Sequence, residues 1–164
     1  MNYINIDFNQ HTKLVSDIIR QITNSDWRPD YVVGITRGGL SAAVMISHYF
    51  NVRMETLKIS LRDEDHGQES NLWMAEDALN GKNILIVDDI NDSGSTFNWL
   101  MTDWPSGCLP YDPKWETLWN NNVRFAVLVD NLASKCSVGM DYYGMEINKK
   151  ENDWVVFPYE SWWR

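Results

Sequence analysis

The sequence predicts an α/β fold, an open and mostly parallel sheet flanked by helices on both faces. The runs YVVGIT (31–36), NILIV (83–87) and VRFAVLV (123–129) are almost wholly apolar instead of alternating, the pattern of strands covered on both sides. Stretches with apolar residues at helical spacing lie between such runs, and a crossover joining parallel strands places its helix on a sheet face. At 164 residues, 44% of them hydrophobic, the chain suits one domain over 1–164 with a substantial core. Ligands of such sheets sit beyond the carboxyl ends of the strands.

In chain order, HTKLVSDIIRQITNS (11–25) is a helix because Leu14, Ile18, Ile19 and Ile22 share one face. The strand at 31–36 follows, then a helix over 39–50 that opens just after the Gly38-Gly39 pair. VRMETLKISL (52–61) has the alternation and β-branched content of a strand, and RDEDHGQESN (62–71) is polar, without period, and expected to be a mobile loop. The strand at 83–87 leads to a helix over 96–104 and the strand at 123–129. Residues 104–122 read as an aromatic-rich insertion with three prolines, Trp104, Trp115 and Trp119, and a short helix near 114–119. Aromatic packing or a subunit contact accounts for it, and for the tail ESWWR.

A net charge of −9 and the lack of any basic run argue against nucleic acid as a partner. No run of about 18 apolar residues can span a bilayer, and MNYINIDFNQ lacks the regions of a signal peptide, so no membrane partner is expected either. Cys108 and Cys136 form neither a CxxC pair nor a disulfide framework. A soluble, unprocessed, cytoplasmic protein is expected. An acidic chain still binds a small polyanion when a divalent cation bridges the two.

The stretch ILIVDDINDSGSTFNWL (84–100) offers such a place. Asp88 and Asp89 fall at the end of a strand, and Asp92, Ser93, Gly94, Ser95 and Thr96 form a small-residue loop feeding a helix. Backbone N–H groups and the positive end of the helix dipole then point at an anion, hydroxyls add donors, and Gly94 allows close approach. No GK[ST] ending supports a nucleoside-triphosphate loop. Taken singly, each feature has a plainer reading: Asp92 or Ser93 as a helix cap, Arg37-Gly38-Gly39 as a turn, Trp154 as a core residue. A receiver-type signalling domain would need its acidic pair near the first strand and a lysine ending a late one, and neither is present. His11, His48 and His66 show no ligand spacing.

ILIVDDINDSGSTF resembles the phosphoribosyl diphosphate (PRPP) signature of type I phosphoribosyltransferases. VVGITRGGLSAA (32–43) resembles the family's pyrophosphate loop, DYYG (141–144) the strand before its base-binding segment, and DWVVFPYE (153–160) that segment in bacterial xanthine-guanine and hypoxanthine enzymes. These segments occur in the family's order, and the resemblance covers most of residues 28–160, with 104–122 as an added piece. The resemblance implies the type I fold with a small base-binding hood, built here from residues 141–160. It implies that Asp88 and Asp89 hold the ribose hydroxyls and, directly or through water, Mg²⁺. Asp92 would face N7 of the base and handle its proton, while Ser93, Gly94, Ser95 and Thr96 cradle the 5′-phosphate. Thr36, Arg37 and Gly38 would bind pyrophosphate through a non-proline cis peptide. Trp154 would stack on the purine and Val155 read its edge. The loop at 62–71 would close over the centre, bringing Arg62 toward pyrophosphate.

The implied activity is magnesium-dependent transfer of the 5-phosphoribosyl group from PRPP to guanine, hypoxanthine or xanthine in purine salvage, by a homo-oligomer, dimer or tetramer. Ser95 stands where the family often has a second glycine, and Leu61 where a tyrosine is common at the base of the flexible loop. Many relatives carry a lysine just after the strand at 123–129 that contacts the exocyclic oxygen; here the residues are Asp130, Asn131 and Leu132, with Lys135 beyond. Asn131 is therefore expected at the base, donating one hydrogen bond without charge assistance, and xanthine is expected to be the poorest substrate of the three. A non-catalytic PRPP-binding regulator on the same fold, or a transferase for another nitrogenous base, stays open as an alternative.

Overall fold

The apolar runs form the middle of the sheet. A computed structural model describes residues 1–59 and 71–164. Its elements are β1 (Asn2–Asn5), α1 (Phe8–Asn24), β2 (Tyr31–Thr36), α2 (Leu40–Phe50), β3 (Met54–Lys58), α3 (Leu72–Leu79), β4 (Ile84–Asn91), α4 (Ser95–Gly107), β5 (Val123–Asn131), β6 (Tyr142–Ile147) and β7 (Asp153–Val156). Five strands pair in parallel in the order β3-β2-β4-β5-β6. The expected open parallel sheet is what the chain forms. Alternation along β4 sends Leu85 and Val87 to the core beneath α1 and α2, and Ile84 and Ile86 to the core beneath α3 and α4. Among the described residues, no helix is long and apolar enough to cross a membrane.

Several boundaries differ from the sequence reading for local reasons. α1 begins at Phe8, three residues early, because Asp7 caps it: the Asp7 carboxylate accepts from Gln10 N (2.7 Å) and the Gln10 side chain accepts from Asp7 N (2.9 Å). Asp7→Ala is expected to lower folding stability by about 0.5–2 kcal/mol, seen as a lower denaturant midpoint at unchanged slope. α4 runs past Pro105 to Gly107, and the expected helix at 114–119 is instead a 3₁₀ turn, Pro113–Glu116. Trp104 and Trp115 are buried, and Trp119 lies 5.7 Å from the Trp115 ring and 5.9 Å from Phe125. Residues 104–122 thus pack aromatic rings onto the sheet face beneath α4. Of the strand expected over 52–61, residues 54–58 pair with β2, and 60–70, with the calls on Leu61, Arg62 and His66, lie outside the described residues.

A second, two-stranded parallel sheet pairs β1 with β7, Ile4 standing opposite Val155. Val155 and Phe157 are buried in the core shared with α1 and α2, which fixes this hood over the carboxyl end of the main sheet.

Candidate active site

The chain leaves β2 for β3 on one side and returns to β4 on the other, so a crevice opens beyond the carboxyl ends of β2 and β4. A cleft of about 1050 Å³ lies there. Its wall includes Thr36, Arg37 and Gly38 after β2, Asp88 and Asp89 near the end of β4, residues 91–96, and Trp154 and Val155 of the hood.

The loop after β2 lies against β4. The Thr36–Arg37 peptide is cis. At Gly38 a Cβ would run into the Asp89 carboxylate, so only glycine lets this backbone come so close. Tyr159 fastens the arrangement from the hood: its hydroxyl lies 2.9 Å from Asp89 Oδ2 and 3.0 Å from the Gly38 carbonyl, and its single proton serves one acceptor at a time. Burial and the nearby Asp89 charge push the Tyr159 phenol far above its usual range, so it stays a donor. Desolvation raises the Asp89 carboxyl, with hydrogen bonds from Tyr159 and backbone N–H groups opposing. Behind it, His11 is buried, bonded to Ser41 Oγ at 2.9 Å, with its pKa lowered by burial against the pull of Asp89.

The loop at 92–95 is built as an anion cradle. Gly94 has φ +90, and a Cβ there would strike the Cys136 backbone. Lys135 N donates to Ser93 O (2.8 Å), and Asn98 grips the same segment, donating to Lys135 O (2.9 Å) and accepting from Ser137 N (2.8 Å). Residues 135–137 thereby form a floor beneath the loop. No side chain caps α4 and its first turn holds no acid, while the Ser93 and Ser95 hydroxyls lie 2.9 Å apart at the surface. The N-terminus of a 13-residue helix is thus presented to the cleft.

Asp92 stands between this cradle and the hood. Its Oδ2 pairs with Lys149 Nζ at 2.8 Å, and the same ammonium lies 5.2 Å from the Trp154 ring centroid. Asn131 is 6% exposed and is not among the residues lining the cleft. Its amide donates to Asp92 O (3.0 Å), and its oxygen accepts from Ala133 N (3.1 Å) and Lys149 N (3.0 Å). The structure therefore does not bring Asn131 to the cleft wall; it braces the two loops behind that wall. Lys149 and Tyr159 are the participants sequence reasoning missed. Tyr159 lies inside the quoted hood segment, but Lys149 is 57 residues from Asp92 and follows no local pattern.

The profile of the phosphoribosyl transferase domain matches residues 7–161. The chain belongs to this phosphoribosyltransferase family. Its relatives include the xanthine-guanine phosphoribosyltransferase of Cereibacter sphaeroides, 29% identical over 141 residues, or 84% of this chain and 71% of that protein. Xanthine phosphoribosyltransferase 1 of Saccharomyces cerevisiae is 26% identical over 122 residues, 60% of this chain and 58% of that protein. A purine phosphoribosyltransferase from Pyrococcus horikoshii shares the fold at a TM-score of 0.68 and 21% identity, over 98% of this chain and 95% of the other.

Whether the phosphoribosyltransferase cleft suits a divalent cation turns on Asp88 and Asp89. They offer hard oxygen donors, and burial raises the Asp89 carboxyl. Among the described residues no cluster of three or more His, Cys, Asp or Glu stands ready to hold a metal. One or two carboxylates completed by water and substrate oxygens is the usual arrangement for Mg²⁺, so the residues fit that ion bound together with a phosphorylated substrate.

Proposed function

We propose that this phosphoribosyltransferase transfers the 5-phosphoribosyl group of PRPP to a 6-oxopurine, guanine, hypoxanthine or xanthine, releasing a nucleoside 5′-monophosphate and pyrophosphate. The observation that carries the reading is the shared wall of one cleft: the anion cradle at α4, the Asp88-Asp89 pair, the Thr36–Gly38 loop, and Trp154 beside Asp92. The names of the relatives from Cereibacter and Saccharomyces point to the same acceptor class.

In this reading the 93–96 loop holds the 5′-phosphate, and Asp88 and Asp89 hold the ribose hydroxyls. Loss of pyrophosphate builds positive charge on the ribose and negative charge on the leaving group, which the backbone of Thr36, Arg37 and Gly38 receives. The base stacks on Trp154 with its edge at Val155, and Asp92 takes the N7 proton as N9 bonds to C1. Asp88 and Asp89 would hold Mg²⁺, which would supply positive charge to offset the charge of the leaving group. The expectation that xanthine is the poorest substrate depends on Asn131 facing the base, whereas Asn131 lies behind the cleft wall. The two free cysteines suit a reducing cytoplasm, and a homo-oligomer, dimer or tetramer, belongs to the same proposal.

PRPP with Mg²⁺ is expected to stabilise the fold by about 2.7 kcal/mol at a hundredfold excess over Kd, and chelating the metal to remove most of the gain. A melting temperature indifferent to millimolar PRPP and Mg²⁺ would remove the PRPP site.

A further inference from the structure

We propose that Tyr159, although it belongs to the hood that carries the base, is a positioning residue for the PRPP half of the cleft and acts through Asp89; the proposal rests on the transfer reaction above. Trp154 and Val155 of the hood line the wall where the base stacks. Tyr159 reaches the other half. Its Oη lies 2.9 Å from Asp89 Oδ2 and 3.0 Å from the Gly38 carbonyl, so one hydroxyl joins the hood to the end of β4 and to the loop after β2. Both partners stand where ribose and pyrophosphate are held in the reading above.

The core places the ring, and the ring places the hydroxyl. Phe157, buried beneath α1 and α2, stacks on Tyr159 with centroids 5.7 Å apart and planes 3° from parallel. His11 meets the same ring edge-on at 6.1 Å and is itself fixed to Ser41 Oγ at 2.9 Å. Pro158 opens the 3₁₀ turn Pro158–Glu160, and Glu160 N donates to Phe157 O at 3.1 Å to close it. A phenol so firmly mounted orients the group it bonds. Of its two acceptors the charged one makes the stronger hydrogen bond, so in the free protein the proton goes to Asp89. The same carboxylate presses on the Gly38 backbone, where no Cβ would fit. Held between glycine and phenol, Asp89 is in place before any ligand arrives, and PRPP loses no affinity to ordering it. A carboxylate accepts several hydrogen bonds, which leaves capacity for the ribose hydroxyls.

The test is calorimetric titration of the purified protein with PRPP and Mg²⁺ in the absence of base, beside steady-state kinetics with hypoxanthine. Tyr159→Phe keeps the ring and its stacking and removes only the hydroxyl. It is expected to raise Kd and KM for PRPP by about 10–100-fold, the scale of a hydrogen bond to a charged group, with KM for hypoxanthine changed by less than about twofold. In an Asp89→Asn background the charged acceptor is gone, and the same removal should raise Kd by less than about threefold. That pair of variants carries the test even where Tyr159→Phe alone folds poorly, since neither leaves an unpaired carboxylate under the phenol. A lowered melting temperature with an unchanged Kd for PRPP would make Tyr159 structural only and overturn the proposal. So would a loss that falls on KM for hypoxanthine instead, or one equally large in the Asp89→Asn background. A native protein that binds no PRPP would overturn the transfer reading itself, a failure seen before any substitution is made.

Discussion

Asp92→Asn is expected to cut turnover by about 10²–10⁴, the usual worth of general acid-base catalysis, while leaving KM for PRPP nearly unchanged. The substitution keeps the shape of the side chain. Its amide oxygen can still accept from Lys149, which now bonds Asp92 Oδ2, and the backbone carbonyl still accepts from Asn131. What is lost is a group able to take a proton at N7. The loss should therefore appear in kcat, and the melting temperature should change little. Turnover equal to that of the native protein would take Asp92 out of proton transfer.

The second large effect is on folding. Gly94→Ala should lower stability by about 2–5 kcal/mol, combining roughly 1–2 kcal/mol for a side chain in left-handed backbone with about 1–3 kcal/mol for a collision that cannot relax. The obstacle is the backbone of Cys136, part of the segment that Asn98 and Ser93 hold beneath the cradle. At about 2–4 °C per kcal/mol for a chain of this size, the melting temperature should drop by roughly 5–15 °C. Gly81 is the control: its φ is +83, but nothing lies within 4 Å of a Cβ there, so Gly81→Ala should carry the backbone cost alone. Equal effects at the two glycines would show that the Cys136 contact is slack.

The central strands were legible because β2, β4 and β5 are covered on both faces and must be apolar throughout. The helix α1 was legible from its apolar stripe, although its start lay in the polar capping pair Asp7 and Gln10, which periodicity does not see. β1 and α3 were not read as elements. β1 is four residues long and gains its place only by pairing with β7. α3 has eight residues and a buried face of Met74, Ala75 and Ala78. At the site, every cleft-lining residue expected from the motifs stands on the wall, since strand ends and a helix N-terminus set their positions locally. Asn131 shows the opposite case. The end of β5 was found correctly, but side-chain direction there depends on the loops at 92 and 149, whose meeting is a property of the whole fold. The Lys149–Asp92 pair arises from that same meeting.

The most direct test of the account is product formation by purified protein given PRPP, Mg²⁺ and, separately, guanine, hypoxanthine, xanthine and adenine. The account predicts equal amounts of nucleoside 5′-monophosphate and pyrophosphate with at least one 6-oxopurine, and little with adenine. Bound PRPP without product from any 6-oxopurine, or adenine as the preferred acceptor, would contradict it.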